Sequence, residues 1–245
     1  MRIKELQLNW NQFGRTDPLY AILTYQGKQG NRWSLDEFFE LGEKEIDDLM
    51  SYIGSLGLVV PRGKALDFGC GVGRLTQALS SYFNKVSGLD IAPSMIELAS
   101  TYNQCPSKCF YYLNEAINLK IFKDDSLDFI YSNITLQHME PQYSRKYIEE
   151  FIRILSPSGL LVFQLPTAPP WISRKTPRQS IKSALPIGLL NIYRKLRYGG
   201  IKPVMQMYGI DKVEVVKLLN EQGAGIAHTK QEPMAEEGWS SQSQQ

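Results

Sequence analysis

Apolar residues recur along this chain with two different periods, and the switches between them mark its elements. Residues 35–57 (LDEFFELGEKEIDDLMSYIGSLG) set Phe38, Leu41, Ile46, Leu49, Met50 and Ile53 at helical spacing, the stripe that an amphipathic helix turns towards a core. Gly54 and Gly57 supply its stop. Next, KALDFGC reads as a short apolar strand and GRLTQALSSYF as a helix. KVSGLDI is a strand, and PSMIELASTYN a helix with Pro93 near its start, where a fixed φ suits the first turn. KCFYYLNEA and LDFIYSNIT are strands, the second preceded by the acidic loop KDDS. SRKYIEEFIRILSPSG has the pattern of an amphipathic helix closed by Pro157 and Gly159, and GLLVFQLP that of a fifth strand.

Strands that alternate with helices of this length predict βαβ units: a mostly parallel, doubly wound α/β sheet with helices on both faces. Several strands are nearly continuous apolar runs, as strands buried on both sides should be. The rhythm breaks at Pro166. Residues 166–210 hold six prolines and a basic amphipathic stretch, ALPIGLLNIYRKLRY. Residues 211–222 resume as a helix, and GIAHTK has the pattern of one further strand, carrying His228. Residues 1–34 precede the regular pattern and are rich in aromatics, among them Trp10, Phe13 and Trp33, which suits a cap.

Composition changes this picture little. In 245 residues the apolar fraction is 43% and the net charge +2. These values fit a globular chain and do not by themselves imply a nucleic-acid partner. Cys70, Cys105 and Cys109 are odd in number and match no zinc spacing, so free thiols and no metal are expected. The opening MRIKELQLNW has no apolar signal core, and no segment approaches the roughly 18 apolar residues of a spanning helix. A cytoplasmic protein is the expectation.

The chemistry concentrates at Asp67-Phe-Gly69-Cys70-Gly71-Val-Gly73-Arg, between a strand and a helix. Closely spaced glycines there let the backbone turn sharply and let a ligand approach where a Cβ would clash. A dinucleotide loop reads G-x-G-x-x-G, whereas this one reads G-x-G-x-G with an acid two residues ahead. A pyrophosphate is repelled by Asp67; an ammonium or sulfonium is attracted. Asp90 ends the next strand, 17 residues after Gly73, where a carboxylate can accept hydrogen bonds from ribose hydroxyls.

Over roughly residues 60–165 the chain resembles the class I S-adenosyl-L-methionine-dependent methyltransferases, through LDFGCGVGRLT, VSGLDIAPSMIELA, YLNEAINL and DDSLDFIYSNITLQHM. The resemblance implies a Rossmann-like fold with S-adenosyl-L-methionine as cofactor and the demethylated product S-adenosyl-L-homocysteine. It implies that the glycine loop, with Cys70, holds the methionine part, and that Asp90, with Ile91 beside it, holds the ribose. Glu115 then lies near the adenine amino group after Asn114, and Asn133 and Ile134 line the methionine end. Glu115 replaces the commoner Asp, and Asn114 stands where Gly is common. The resulting division is one domain: a cap over 1–57, a cofactor-binding core over 58–165, an insertion or lid over 166–210, and a C-terminal helix and strand over 211–245. The family usually ends with an antiparallel pair inside the sheet, yet EPMAEEGWSSQSQQ is too polar for a central strand.

Methyl transfer needs a base only when the acceptor must lose a proton. His138, in Leu136-Gln137-His138-Met139-Glu140, stands just past the fourth strand, on the rim where open α/β sheets bind ligands. It is the candidate base, with Glu140 to orient it, and the alternative use for a lone histidine, packing at a helix start or shaping the cofactor pocket, carries more weight. The Asn/Asp-Pro-Pro-aromatic motif of adenine methylators is missing at Ser132-Asn133-Ile134-Thr135, so no nucleic-acid partner is expected. Between Phe151 and Ile210 stand nine Lys or Arg and no Asp or Glu. This suits a lid over a small-molecule acceptor, anionic or carrier-bound. A peripheral membrane contact through residues 174–202 is the less favoured use. A binding or scaffold protein that retains the fold, or another transferase reaction on the same frame, remains the alternative to a methyltransferase.

Overall fold

A computed structural model of the chain describes residues 1–167 and 203–231. Three helices come first: α1 (Ile3–Thr16), α2 (Pro18–Ile22) and α3 (Leu35–Ser55). The alternating part follows as β1 (Lys64–Phe68), α4 (Arg74–Leu79), β2 (Lys85–Asp90), α5 (Pro93–Thr101), β3 (Cys109–Leu113) and β4 (Leu127–Ser132). A 3-10 turn (Leu136–His138), α6 (Pro141–Ile154), β5 (Leu155–Phe163) and α7 (Lys212–Glu221) complete the described elements. The five strands form one sheet in the order β3-β2-β1-β4-β5, every pairing parallel. The expected Rossmann-like α/β arrangement is therefore present.

Period-2 geometry explains why the strands read as unbroken apolar runs. Leu66 and Phe68 point to the face covered by α6, against Tyr147, Ile148 and Phe151. Ala65 points to the opposite face, against Leu75 and Leu79 of α4 and Ile46 and Met50 of α3. Both faces are buried, so alternate residues have no solvent side on which to be polar. In α3, Phe38, Gly42, Ile46, Met50 and Ile53 are buried at intervals of three to four residues, and one face of the helix packs inward. A third cluster joins the cap to the sheet's C-terminal rim: Leu19, Trp33 and Phe38 pack with Val72 of the glycine loop and Met95 of α5.

Three expectations change. The helix before β5 begins at Pro141 and ends at Ile154, and β5 starts at once with Leu155. Pro157 and Gly159 thus lie inside the strand rather than capping the helix. The ladder shifts register there, from Leu127↔Leu155 to Phe129↔Leu160, and Pro157 is exposed; a bulge accommodates a proline that lacks an N–H. GIAHTK forms no strand: it is irregular and exposed, having too little apolar surface to pack. His228 is therefore not on a strand, and its Nε2 lies 2.9 Å from the Tyr52 hydroxyl. Among the described residues the sheet ends at β5. The basic stretch ALPIGLLNIYRKLRY and the tail EPMAEEGWSSQSQQ lie outside them.

Candidate active site

The C-terminal ends of β1, β2 and β4 open into a cavity lined by Phe68, Leu89, Asp90 and Asn133, the rim where open α/β sheets bind ligands. The glycine loop forms one wall. Gly69, Gly71 and Gly73 all have left-handed backbones, with φ of 80°, 52° and 86°. A Cβ on Gly69 would drive into Thr135, and one on Gly71 would stand 2.6 Å from Ile22 Cδ1. Gly69, Cys70 and Gly71 line the cavity. Gly73 does not: a Cβ there would strike the Tyr111 ring from beneath the loop, and its role is to start α4.

Asp90 ties this loop to the tip of β2. Its Oδ2 accepts from the Gly71 N–H at 2.9 Å, and its Oδ1 from the Ala92 N–H at 2.8 Å. Burial raises its pKa, and these N–H groups oppose the rise. Ile91 and Asn114 line the cavity beside it. The Asn114 side chain donates to the Ala116 and Asn118 carbonyls, which holds the loop after β3.

Asp67 and Glu115 are not brought to the cavity wall. Asp67 lies beneath the loop, buried, and accepts from the Thr76 hydroxyl at 2.6 Å. Desolvation lifts its pKa to about 7. Glu115 is exposed, and Gln7 of α1 donates to its carboxylate at 2.5 Å. Past the end of β3 the chain turns Asn114 into the cavity and leaves Glu115 exposed.

Asn133, Ile134 and His138 all line the cavity from the turn after β4. Ile134 has φ of 54°, a strained conformation for a β-branched residue. Its N–H donates to Gln164 Oε1 at 3.2 Å. His138 is 5% exposed. Its Nδ1 faces the Gln206 carbonyl at 3.0 Å, and its Nε2 the Gln137 side-chain nitrogen at 3.3 Å. A carbonyl accepts only, so Nδ1 carries the hydrogen and Nε2 the lone pair. Desolvation lowers the His138 pKa and keeps the ring neutral. Glu140 does not orient this ring: its carboxylate takes the Met1 amino group and the Gln142 amide.

Several wall residues carry no motif. Ile3, Leu6 and Trp10 of α1 form an apolar side. Residues 203–210 cross the same region: the Val204 N–H donates to Asn9 Oδ1, the Tyr208 N–H to the Gln137 carbonyl and the Ile210 N–H to the Pro166 carbonyl. Glu45 of α3 accepts from Arg74, Tyr131 and Asn133 at 2.7, 3.0 and 2.6 Å. In the sequence Glu45 is one more polar position between buried ones. For Arg74, adjacency to Gly73 is the available signal. Cys70, Cys105 and Cys109 are free thiols. Among the described residues, no three His, Cys, Asp or Glu are grouped to hold a metal ion, and no helix is long and apolar enough to cross a membrane.

Comparisons with known proteins agree with this frame. Residues 66–163 match the family model described as a methyltransferase domain. Malonyl-acyl-carrier-protein O-methyltransferase of Bacillus anthracis is 28% identical over 132 residues, 53% of this chain and 47% of that one. A tRNA N(3)-methylcytidine methyltransferase of Drosophila melanogaster is 27% identical over 156 residues, 60% of this chain and 45% of that one. The chain thus spans about half the length of these curated relatives. The fold of magnesium protoporphyrin IX methyltransferase from Synechocystis, solved with S-adenosylhomocysteine, superposes with a TM-score of 0.53 at 16% identity, covering 89% of this chain and 87% of that one. Residues 66–163 thus form a methyltransferase domain, and their glycine loop and parallel sheet place that domain with the class I S-adenosyl-L-methionine-dependent methyltransferases.

Proposed function

We propose that this protein transfers a methyl group from S-adenosyl-L-methionine to an oxygen or nitrogen of a small-molecule or carrier-bound acceptor. The observation that carries the reading is the closure of the glycine loop on the tip of β2, with the Gly71 N–H on Asp90 and the Gly69 N–H on the Leu89 carbonyl. The two glycines keep the wall free of Cβ atoms, and the Asp90 oxygens each keep lone pairs beyond their one backbone donor. The donor set therefore fits the cofactor: Asp90 to accept from the ribose hydroxyls, Ile91 and Asn114 beside the base, Asn133 and Ile134 towards the methionine end. Asp67 acts from beneath by holding the Thr76 hydroxyl of α4, and Glu115 meets only the outer rim. When bound, the sulfonium supplies an electrophilic methyl group and a good leaving group.

The chain's own residues then have two tasks. Ile3, Leu6, Trp10 and Met139 exclude water and place the acceptor in line. His138, neutral with its hydrogen on Nδ1, takes the acceptor's proton at Nε2, where the Gln137 amide now stands, when one must leave. Residues 1–57 serve as the cap of one domain rather than as a separate unit. The named relatives act on a carrier-bound malonyl group and on tRNA. The nine Lys or Arg and absent acids between Phe151 and Ile210 favour an anionic or carrier-bound acceptor, and the missing base-methylation motif disfavours a nucleic acid. Calorimetry of S-adenosyl-L-methionine with the native chain and with Asp90→Ala tests the reading. Micromolar binding lost in the variant is expected; no binding by the native chain overturns it.

A further inference from the structure

Two of the three thiols, Cys105 and Cys109, stand at the ends of one closed turn. The Cys109 N–H donates to the Cys105 carbonyl at 2.8 Å, and the Lys108 N–H to the same carbonyl at 3.0 Å. Asn103 clamps the turn: its Oδ1 accepts from the Cys105 N–H at 3.0 Å, and its Nδ2 donates to the Cys109 carbonyl at 3.2 Å. A bond from residue 109 back to residue 105 closes one helical turn, which sets the two Cα atoms roughly 6 Å apart, inside the span that a disulfide bridges. The side chains point the same way. Both pack in the cluster of Leu79, Phe83 and Val86, Cys105 acts on the charge of Cys109, and both act on the Tyr111 hydroxyl. Cys105 is half-buried, with Pro106, Ser107 and Lys108 exposed beside it. Cys109 is 3% exposed, and burial pushes its thiol up to about 11. One sulfur thus meets reagents from solvent and the other is sheltered behind it, the arrangement of an attacking and a resolving thiol. Cys70 stands apart: it lines the cavity and donates to the Gly71 carbonyl at 3.6 Å.

We infer that Cys105 and Cys109 are a site of reversible disulfide formation, with a small disulfide of the glutathione type as oxidant. The Cys105 thiolate attacks one sulfur of that disulfide, its S–S bond breaks, and one small thiolate leaves. Cys109 then gives its proton to water and attacks the Cys105 sulfur, and the second small thiolate leaves. Two protein thiols are oxidised, and one disulfide is reduced to two thiols. The clamped turn holds the sulfurs together for the second step. The site also reaches the glycine loop. Cys109 Sγ lies 3.5 Å from the Thr76 carbonyl, and the Thr76 hydroxyl holds Asp67 beneath that loop. A bridge draws Cys109 away from α4 and loosens this support, so oxidation weakens cofactor binding. That consequence, unlike the bridge, rests on the cofactor reading above.

The test treats the native chain with millimolar oxidised glutathione, reads it by intact mass and peptide mapping, and then titrates it with S-adenosyl-L-homocysteine. The expected product has lost two hydrogens, with Cys105 and Cys109 in one bridge that dithiothreitol reverses. Its affinity is expected to be weaker by about fivefold or more, the lower end of ordinary coupling between sites. In Cys109→Ser the reaction stops at one glutathione adduct on Cys105; in Cys105→Ser neither bridge nor adduct forms. If either variant fails to fold, the peptide map of the native chain decides. No bridge, or a bridge that includes Cys70, overturns the site. A bridged chain that binds as tightly as the reduced one overturns the coupling to the loop. A reduced chain that binds no ligand overturns the cofactor reading and the coupling with it, while the mass still decides the bridge.

Discussion

The Trp10 indole meets the His138 imidazole edge-on, with 5.2 Å between ring centres. The contact joins the N-terminal cap to the turn after β4. It also removes water from one side of a histidine whose Nδ1 is already engaged by Gln206. The base candidate and the cap are thus one assembly.

His138→Ala is therefore expected to lower turnover by about 10²–10⁴-fold for an acceptor that loses a proton, with little change in cofactor affinity. Single-turnover rates and calorimetry on the same variant separate the two effects. Unchanged turnover would remove His138 from the chemistry.

Asp67 makes stability depend on pH. Its pKa rises from 3.8 to about 7 on folding, because burial outweighs the Thr76 hydrogen bond. The folded chain holds that proton where the unfolded chain has lost it, so stability falls as pH rises through this window. The fall approaches roughly 1.4 kcal/mol per pH unit between about pH 4 and 7. Asp67→Asn is expected to flatten the profile. Urea denaturation at pH 5 and 8 measures it; identical profiles for native and variant chains would refute the account.

Gly69→Ala places a Cβ against Thr135 in a left-handed backbone. A loss of about 1–3 kcal/mol is expected from the strained φ, together with weaker cofactor binding. Thermal unfolding and calorimetry check both. A variant as stable as the native chain would show that the turn after β4 yields freely.

Ile134→Gly relieves the left-handed strain at φ 54°. Stability is expected to stay within about 1 kcal/mol of the native value, because relief of strain offsets lost packing and added chain entropy. Turnover should fall, since the turn that carries Asn133 and leads to His138 loosens. A stability loss of several kcal/mol would show that the Ile134 side chain anchors the turn.

The match between pattern and structure is uneven for physical reasons. β1, β2 and β4 were legible because burial on both faces leaves continuous apolar runs. The end of α6 was not: Pro157 and Gly159 carry the marks of a helix stop, yet a bulge in β5 holds them. GIAHTK has alternation enough for a strand, but its exposed residues gain nothing by pairing. Glu115 follows the acid position of the family, yet the irregular turn after β3 leaves it exposed and bonded to Gln7.

By itself the sequence determined the α/β frame and the chemical character of one rim. Glycines at two-residue intervals, Asp67 before them and Asp90 beyond them are local facts, written in spacing. Only the tertiary structure decided which of these groups face the cavity. It set Asp67 beneath the loop and Asp90 at the wall, and brought Glu45, Arg74 and Asn133 together from three elements. Spacing specifies what the chain does over one turn or one strand. Contacts between residues 29 and 88 positions apart depend on how whole elements stack, and no local pattern records that.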